Sequence, residues 1–111
     1  MAQSFPLRVG VLILPEQPWR ESCVRWQRAE QLGFAHAWTY DHLTWRGHRD
    51  LPWFSAIPTL TAAALTTDSI RLGTLVASPN FRHPLTLANA AAARLFLEAA
   101  RPQTSAIPST R

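Results

Sequence analysis

The chain has 111 residues, a net charge of +4 and an apolar share of 47%, which suits one domain with a modest core. It holds no apolar run near the roughly 18–20 residues that span a bilayer, no basic-then-apolar leader, and a single cysteine, Cys23, which can form no internal disulfide. Its 11 basic residues are all Arg, scattered from Arg8 to Arg111; a nucleic-acid footprint would be a stripe or cluster interleaved with aromatic rings, so the composition reads as a soluble cytoplasmic protein.

Arg8–Leu14 is almost continuously apolar, the pattern of a short strand covered on both faces. Pro15 and Pro18 stop it and admit a helix from about Trp19. Trp19, Cys23, Trp26, Ala29 and Gly33 recur at steps of three and four, so one stripe can face a sheet. Gly33 suits a left-handed cap. Ala35–Tyr40 is the second strand, followed by a loop from Asp41 to Leu51 that carries Trp45, Gly47, two His and two Arg. That loop is longer than the usual 2–6 residues of such a connection. Ser55 is the expected N-cap of a helix from Ala56 to about Thr67, with Leu60, Ala63 and Ala64 inward.

Ile70–Ala77 reads as the third strand, and Pro84 suits the opening of a third helix. Its expected packing stripe is Leu85, Ala88, Ala92, Leu95 and Ala99. Residues 102–111 are polar and aperiodic, which predicts a disordered tail after a domain of residues 1–101. Three strand–helix units in a row imply an α/β fold with parallel strands. Chemistry in such folds gathers in loops leaving the carboxyl ends of the strands.

Two polar segments lie in those loops. Asp41-His42 follows the second strand, where an imidazole can move a proton and a neighbouring carboxylate can tune it. The structural alternative is an Asp capping nearby amides beside a solvated His. Ser78-Pro79-Asn80 follows the third strand; Ser and Asn can bond a polar ring edge, and both are also ordinary turn residues. Arg82-His83-Pro84 opens the third helix, where backbone amides can hold an anion; a plain helix start with a solvated Arg is the other reading. Trp38, Tyr40, Trp45 and Trp53 either wall a planar ligand or fill the core. No metal site is expected, because His36 and His48 lack partners at ligand spacing. A Rossmann fold is disfavoured, because no glycine-rich phosphate loop follows the first strand.

Four segments in order resemble the luciferase-like monooxygenases, a flavin- or deazaflavin-dependent family. They are Ala29-Glu30-Gln31-Leu32-Gly33-Phe34, Trp38-Thr39-Tyr40-Asp41-His42-Leu43, Ile70-Arg71-Leu72-Gly73-Thr74-Leu75-Val76 and Asn80-Phe81-Arg82-His83-Pro84. The resemblance runs from about Leu7 to Ala92. It implies the first three βα units of a TIM-type (β/α)8 barrel, incomplete because such a barrel needs about 250 residues. It further implies an oxidoreductase that uses FMN or 8-hydroxy-5-deazaflavin on a small organic substrate. By the same resemblance, Asp41 and His42 lie beside the redox-active ring, with His42 supplying a proton. Ala77 and Ser78 match a non-prolyl cis peptide that backs the ring, and Asn80 bonds the ring's polar edge.

The chain departs from that family at its end, after the third helix begins. Arg94-Leu95-Phe96-Leu97-Glu98 leads to an Ala, Arg, Pro and Ser/Thr tail instead of a fourth strand, which predicts a truncated or frame-shifted product. The alternative function is therefore a catalytically silent fragment or a small structural module. Such a module would be stable as a homo-oligomer or with a complementary chain.

Overall fold

The computed structural model describes residues 6–44 and 50–101. The expectations for Trp45, Gly47, His48 and the tail 102–111 lie outside those residues. Three strands, β1 (Gly10–Leu12), β2 (His36–Thr39) and β3 (Arg71–Thr74), form one parallel sheet in the order β1-β2-β3. The helices α1 (Trp19–Gln31), α2 (Ala56–Thr66) and α3 (Pro84–Ala99) follow them in turn. The expected strand–helix alternation is thus realised. In register, Leu12 lies opposite Trp38, and Trp38 opposite Gly73. Backbone bonds extend the ladder just beyond the strands, from Ala35 N–H to Val9 O (2.9 Å) and from Leu75 N–H to Thr39 O (2.9 Å).

Successive strand residues point to opposite faces, and the two faces differ. Ile13, Ala37 and Leu72 are buried on one face, with Trp26 and Ala29 from α1 and Leu60, Ala63 and Ala64 from α2. That is the core. The second face carries Gly10, Leu12, His36, Trp38 and Gly73. There the Trp38 ring fills the space beside both glycines: a Cβ on Gly73 would sit 2.6 Å from Trp38 Cζ3, and one on Gly10 would sit 2.9 Å from Trp38 Nε1. β1 was expected to be covered on both faces, yet Val9 and Leu12 are exposed. Helices cover the Ile13 face, and Leu12, on the other face, is 38% exposed.

Helix α1 starts at Trp19 as its prolines require, and Gly33 adopts φ +87° just after it, the left-handed conformation glycine favours. Its buried stripe is Ser22, Trp26 and Ala29, with Cys23 half-buried. Ser22 is tolerated inside because its hydroxyl accepts the Trp26 indole N–H at 3.2 Å. At α2, Ser55 occupies the N-cap position, but its side chain makes no capping bond. Its carbonyl instead accepts the Thr59 N–H (3.2 Å) and the Thr59 hydroxyl (2.7 Å).

Helix α3 presents the opposite face from the one expected. Leu85, Ala88, Ala92, Leu95 and Ala99 are all exposed, whereas Leu87, Ala90, Ala91, Arg94 and Leu97 are half-buried. The polar anchors decide the rotation. Arg94 donates to Leu72 O (3.1 Å) and to Glu98 (2.6 Å), four residues on. Arg101, just past the helix, donates to Ile70 O (2.9 Å), Thr67 O (3.3 Å) and Thr67 Oγ1 (2.6 Å). With these arginines on the β3 side, the Leu85–Leu95 stripe must face outward.

At the amino end of β3, Glu30 of α1 clamps the α2–β3 turn. Its carboxylate accepts the backbone N–H groups of Asp68 (3.0 Å), Ser69 (2.6 Å) and Ile70 (2.9 Å), with Arg101 at 3.9 Å. Burial works against the charge, but the amides of Ser69, Ile70 and Asp68, helped by Arg101, outweigh it and hold the carboxyl below its ordinary range.

Candidate cofactor-ring site

The parallel topology brings the exits of β2 and β3 to one end of the sheet. Asp41, two residues beyond β2, is 3% exposed. Its carboxylate accepts a forked pair of bonds from Arg82, Nη2 to Oδ1 at 2.8 Å and Nη1 to Oδ2 at 2.9 Å. The Ser78 N–H, on the β3 exit, donates to the same Oδ2 at 2.9 Å. The Arg82 hydrogen bonds are the largest influence on the Asp41 carboxyl; with the Ser78 amide and the nearby charges of Arg82 and His42, they hold it below the carboxylate range despite burial. Asp41 in turn raises the Arg82 guanidinium. A carboxylate tied in this way anchors the loop between two strand exits.

His42 is exposed beside it. Its ring stands edge-on to Tyr40, with centroids 5.4 Å apart, and lies 6.3 Å from the Trp53 ring. The Trp53 indole N–H donates to His42 O at 2.8 Å, so the segment before α2 folds back over the β2 exit. Asn80 is exposed on a single 3-10 turn, Pro79–Phe81, between Ser78 and Arg82. Ala77 and Ser78 are half-buried on the approach to it. The non-prolyl cis peptide joins Leu75 to Val76, two residues before the expected Ala77–Ser78 position. The backbone turns where β3 pairing with β2 ends, at the Leu75 N–H, so the feature belongs to the strand terminus.

Two sequence readings change with this geometry. Arg82 is not the solvated cation of a plain helix start, because its fork is engaged by Asp41. The α3 opening is likewise occupied: Pro84 has no N–H, and His83 Nδ1 accepts the Leu85 N–H at 3.1 Å. A cleft of about 260 Å3 lies between α2, β3 and α3, lined by Ile57, Thr74, Ala77, Leu87 and Arg94 among others. It falls below the roughly 300–1,000 Å3 of ordinary ligand pockets. His42 and Asn80 are exposed at the exits of β2 and β3, beside the Asp41–Arg82 pair.

The sequence model of the luciferase-like monooxygenases matches residues 3–93. The chain belongs to that family. The F420-dependent hydroxymycolic acid dehydrogenase of Mycobacterium tuberculosis is 39% identical over 99 residues, which are 84% of this chain and 26% of that protein. Among solved structures, the coenzyme F420-dependent tetrahydromethanopterin reductase of Methanopyrus kandleri superposes with a TM-score of 0.71 at 30% identity, over 85% of this chain and 25% of the other. The monooxygenase RslO1 of Streptomyces bottropensis gives 0.66 at 27% identity, over 86% and 31%. The luciferase-like chain thus spans about a quarter of the length of the relatives it matches. Its three βα units form a partial α/β unit like those of TIM-barrel enzymes. Among the described residues, no helix is long and apolar enough to cross a membrane.

Sequence reasoning missed Arg82 as the partner of Asp41, since 41 residues separate them. The usable signal was chemical: a buried strand-exit carboxylate needs a cation, and Arg82 is the one on the neighbouring exit.

Proposed function

We propose that this chain carries the ring-binding side of a deazaflavin-dependent oxidoreductase acting on a small organic substrate. The carrying observation is that His42 and Asn80 stand exposed on adjacent strand exits, held together through Asp41 and Arg82. In this reading His42 holds or delivers a proton beside the redox-active ring, Asn80 bonds the ring's polar edge, and Ala77 and Ser78 back it. A bound deazaflavin would exchange a hydride with the substrate. Deazaflavin is favoured over FMN because two relatives, at 39% and 30% identity, are F420-dependent. The test is titration of the 111-residue chain with oxidised F420 and with FMN, followed by 15N–1H spectra. We expect F420 to shift the Asn80 side-chain amide and the signals around His42, and His42→Ala or Asn80→Ala to weaken that response. Equal responses to FMN, or shifts confined to α1, would overturn the assignment.

A second reading is supported by exposed apolar side chains: Val24 on α1, Leu32 at its C-cap and Phe96 on α3 are 61%, 60% and 75% exposed. Surfaces of this kind suit a partner. On this reading the unit works as a homo-oligomer or with a complementary chain that supplies further strand–helix units, and turnover requires that assembly. Light scattering distinguishes the readings: a monodisperse monomer that binds F420 argues against it.

A further inference from the structure

We propose that Arg82 is a positioning residue, which by clamping Asp41 fixes where Asn80 stands relative to His42. The inference rests on the ring-binding reading above and adds to it a named device. Ser78-Pro79-Asn80-Phe81-Arg82 is held at both of its ends and hardly in between. At its start, the Ser78 N–H donates to Asp41 Oδ2 (2.9 Å). At its finish, the Arg82 fork grips both Asp41 oxygens, and Nη1 reaches back to Ser78 O at 3.5 Å. Pro79, Asn80 and Phe81 between them are exposed. Among the described residues, the hydrogen bonds that tie the segment to the β2 exit all run to Asp41, which directly precedes His42.

The clamp is local, because the rest of α3 has its own moorings. Arg94 holds Leu72 O, and Arg101 holds Ile70 O and Thr67. Removing Arg82 should therefore free the Asn80 segment without undocking the helix. The planar fork matters as well as the charge. A guanidinium meets a carboxylate in two parallel bonds and so fixes direction, whereas an ammonium is a point charge on a flexible stem. Groups held ready for a ligand avoid the ordering cost on binding.

The experiment compares Arg82→Ala, Arg82→Lys and Asp41→Asn with the native 111-residue chain, without ligand, by amide hydrogen exchange and 15N–1H spectra. In Arg82→Ala we expect Ser78 N–H protection to fall at least tenfold and the Asn80 backbone amide signal to shift as the 3-10 turn loosens. The Ile13 and Ala35 amides, bonded across β1 and β2, should keep native protection, which a general loss of stability would not allow. Arg82→Lys should restore less than half of the lost protection. Should Arg82→Ala fail to fold, Asp41→Asn, nearly isosteric, is read by the same two signals. Native Ser78 protection and an unmoved Asn80 amide in a folded variant would overturn the proposal, as would full rescue by lysine. A separate F420 titration judges the ring-binding reading: if the native chain does not respond, that reading fails while the ligand-free signals still decide the clamp.

Discussion

Replacing Glu30 should loosen the joint between α1 and the start of β3. A hydrogen bond to a charged group contributes about 1.5–3 kcal/mol, and the Glu30 carboxylate accepts three from backbone amides. The sum is not additive. The side chain is 22% exposed, and the amides of Asp68 and Ser69 lie at the surface and can turn to water. Ile70 is buried, so its amide would be left without a partner. We therefore expect Glu30→Ala to lose about 2–4 kcal/mol and Glu30→Gln, which keeps one acceptor oxygen, about 1–2 kcal/mol. At about 4–8 °C per kcal/mol for a domain of this size, the alanine variant should melt roughly 8–32 °C lower. Urea denaturation gives the free energies, and acid supplies a second check. The folded-state value of Glu30 lies below its ordinary 4.5, so the unfolded chain takes up the proton first. Its contribution is fully present above 4.5 and disappears as pH falls through the depressed folded value. The gap between native protein and Glu30→Gln should accordingly narrow from neutral pH to roughly pH 3. A gap that does not change, or an alanine variant within about 0.5 kcal/mol of native, would refute the clamp.

Trp26 is fully buried, so Trp26→Ala should lose about 3–5 kcal/mol in urea denaturation, through the cavity it leaves. Gly73→Ala sets a Cβ 2.6 Å from Trp38 Cζ3; the ring must shift, with a loss of about 1–3 kcal/mol and a changed near-ultraviolet circular dichroism signal. His83→Ala removes the acceptor of the Leu85 N–H and should lower stability by about 0.5–2 kcal/mol, with faster exchange confined to the first turn of α3.

Local signals carried the element order well. Prolines at 15 and 18 and Gly33 bracket α1 because each acts through its own backbone geometry, which neighbours cannot easily override. Helix α3 was harder for a physical reason. Leu85, Leu87, Ala88, Ala90, Ala91, Ala92, Leu95, Phe96 and Leu97 surround it with apolar side chains, so periodicity alone does not select a face. The informative residues were the polar ones, Arg94 paired with Glu98 four residues on and Arg101 beyond; the two arginines also reach strand and turn carbonyls that no sequence window contains. At the site, Asp41 and His42 stood out because they follow a buried strand, but what Asp41 does depends on a residue 41 positions away.

The same pairing bears on the charge of the chain. Arg82, Arg94 and Arg101 are each engaged with an internal carboxylate or carbonyl, and their side chains are 22%, 11% and 8% exposed. They therefore contribute little to any outward cationic surface, although they count fully in the net +4. Their placement follows from parallel topology. Strands running the same way leave their amino-end turns at one side of the sheet and their carboxyl-end loops at the other, and backbone groups at both sides lose their ladder partners. Glu30 with Arg101 satisfies such groups around Asp68–Ile70, and Asp41 with Arg82 does so at Ser78. The first joint holds the scaffold. The second, built from the same kind of charge pair at the opposite end, ties the exits of β2 and β3 together beside the exposed His42 and Asn80.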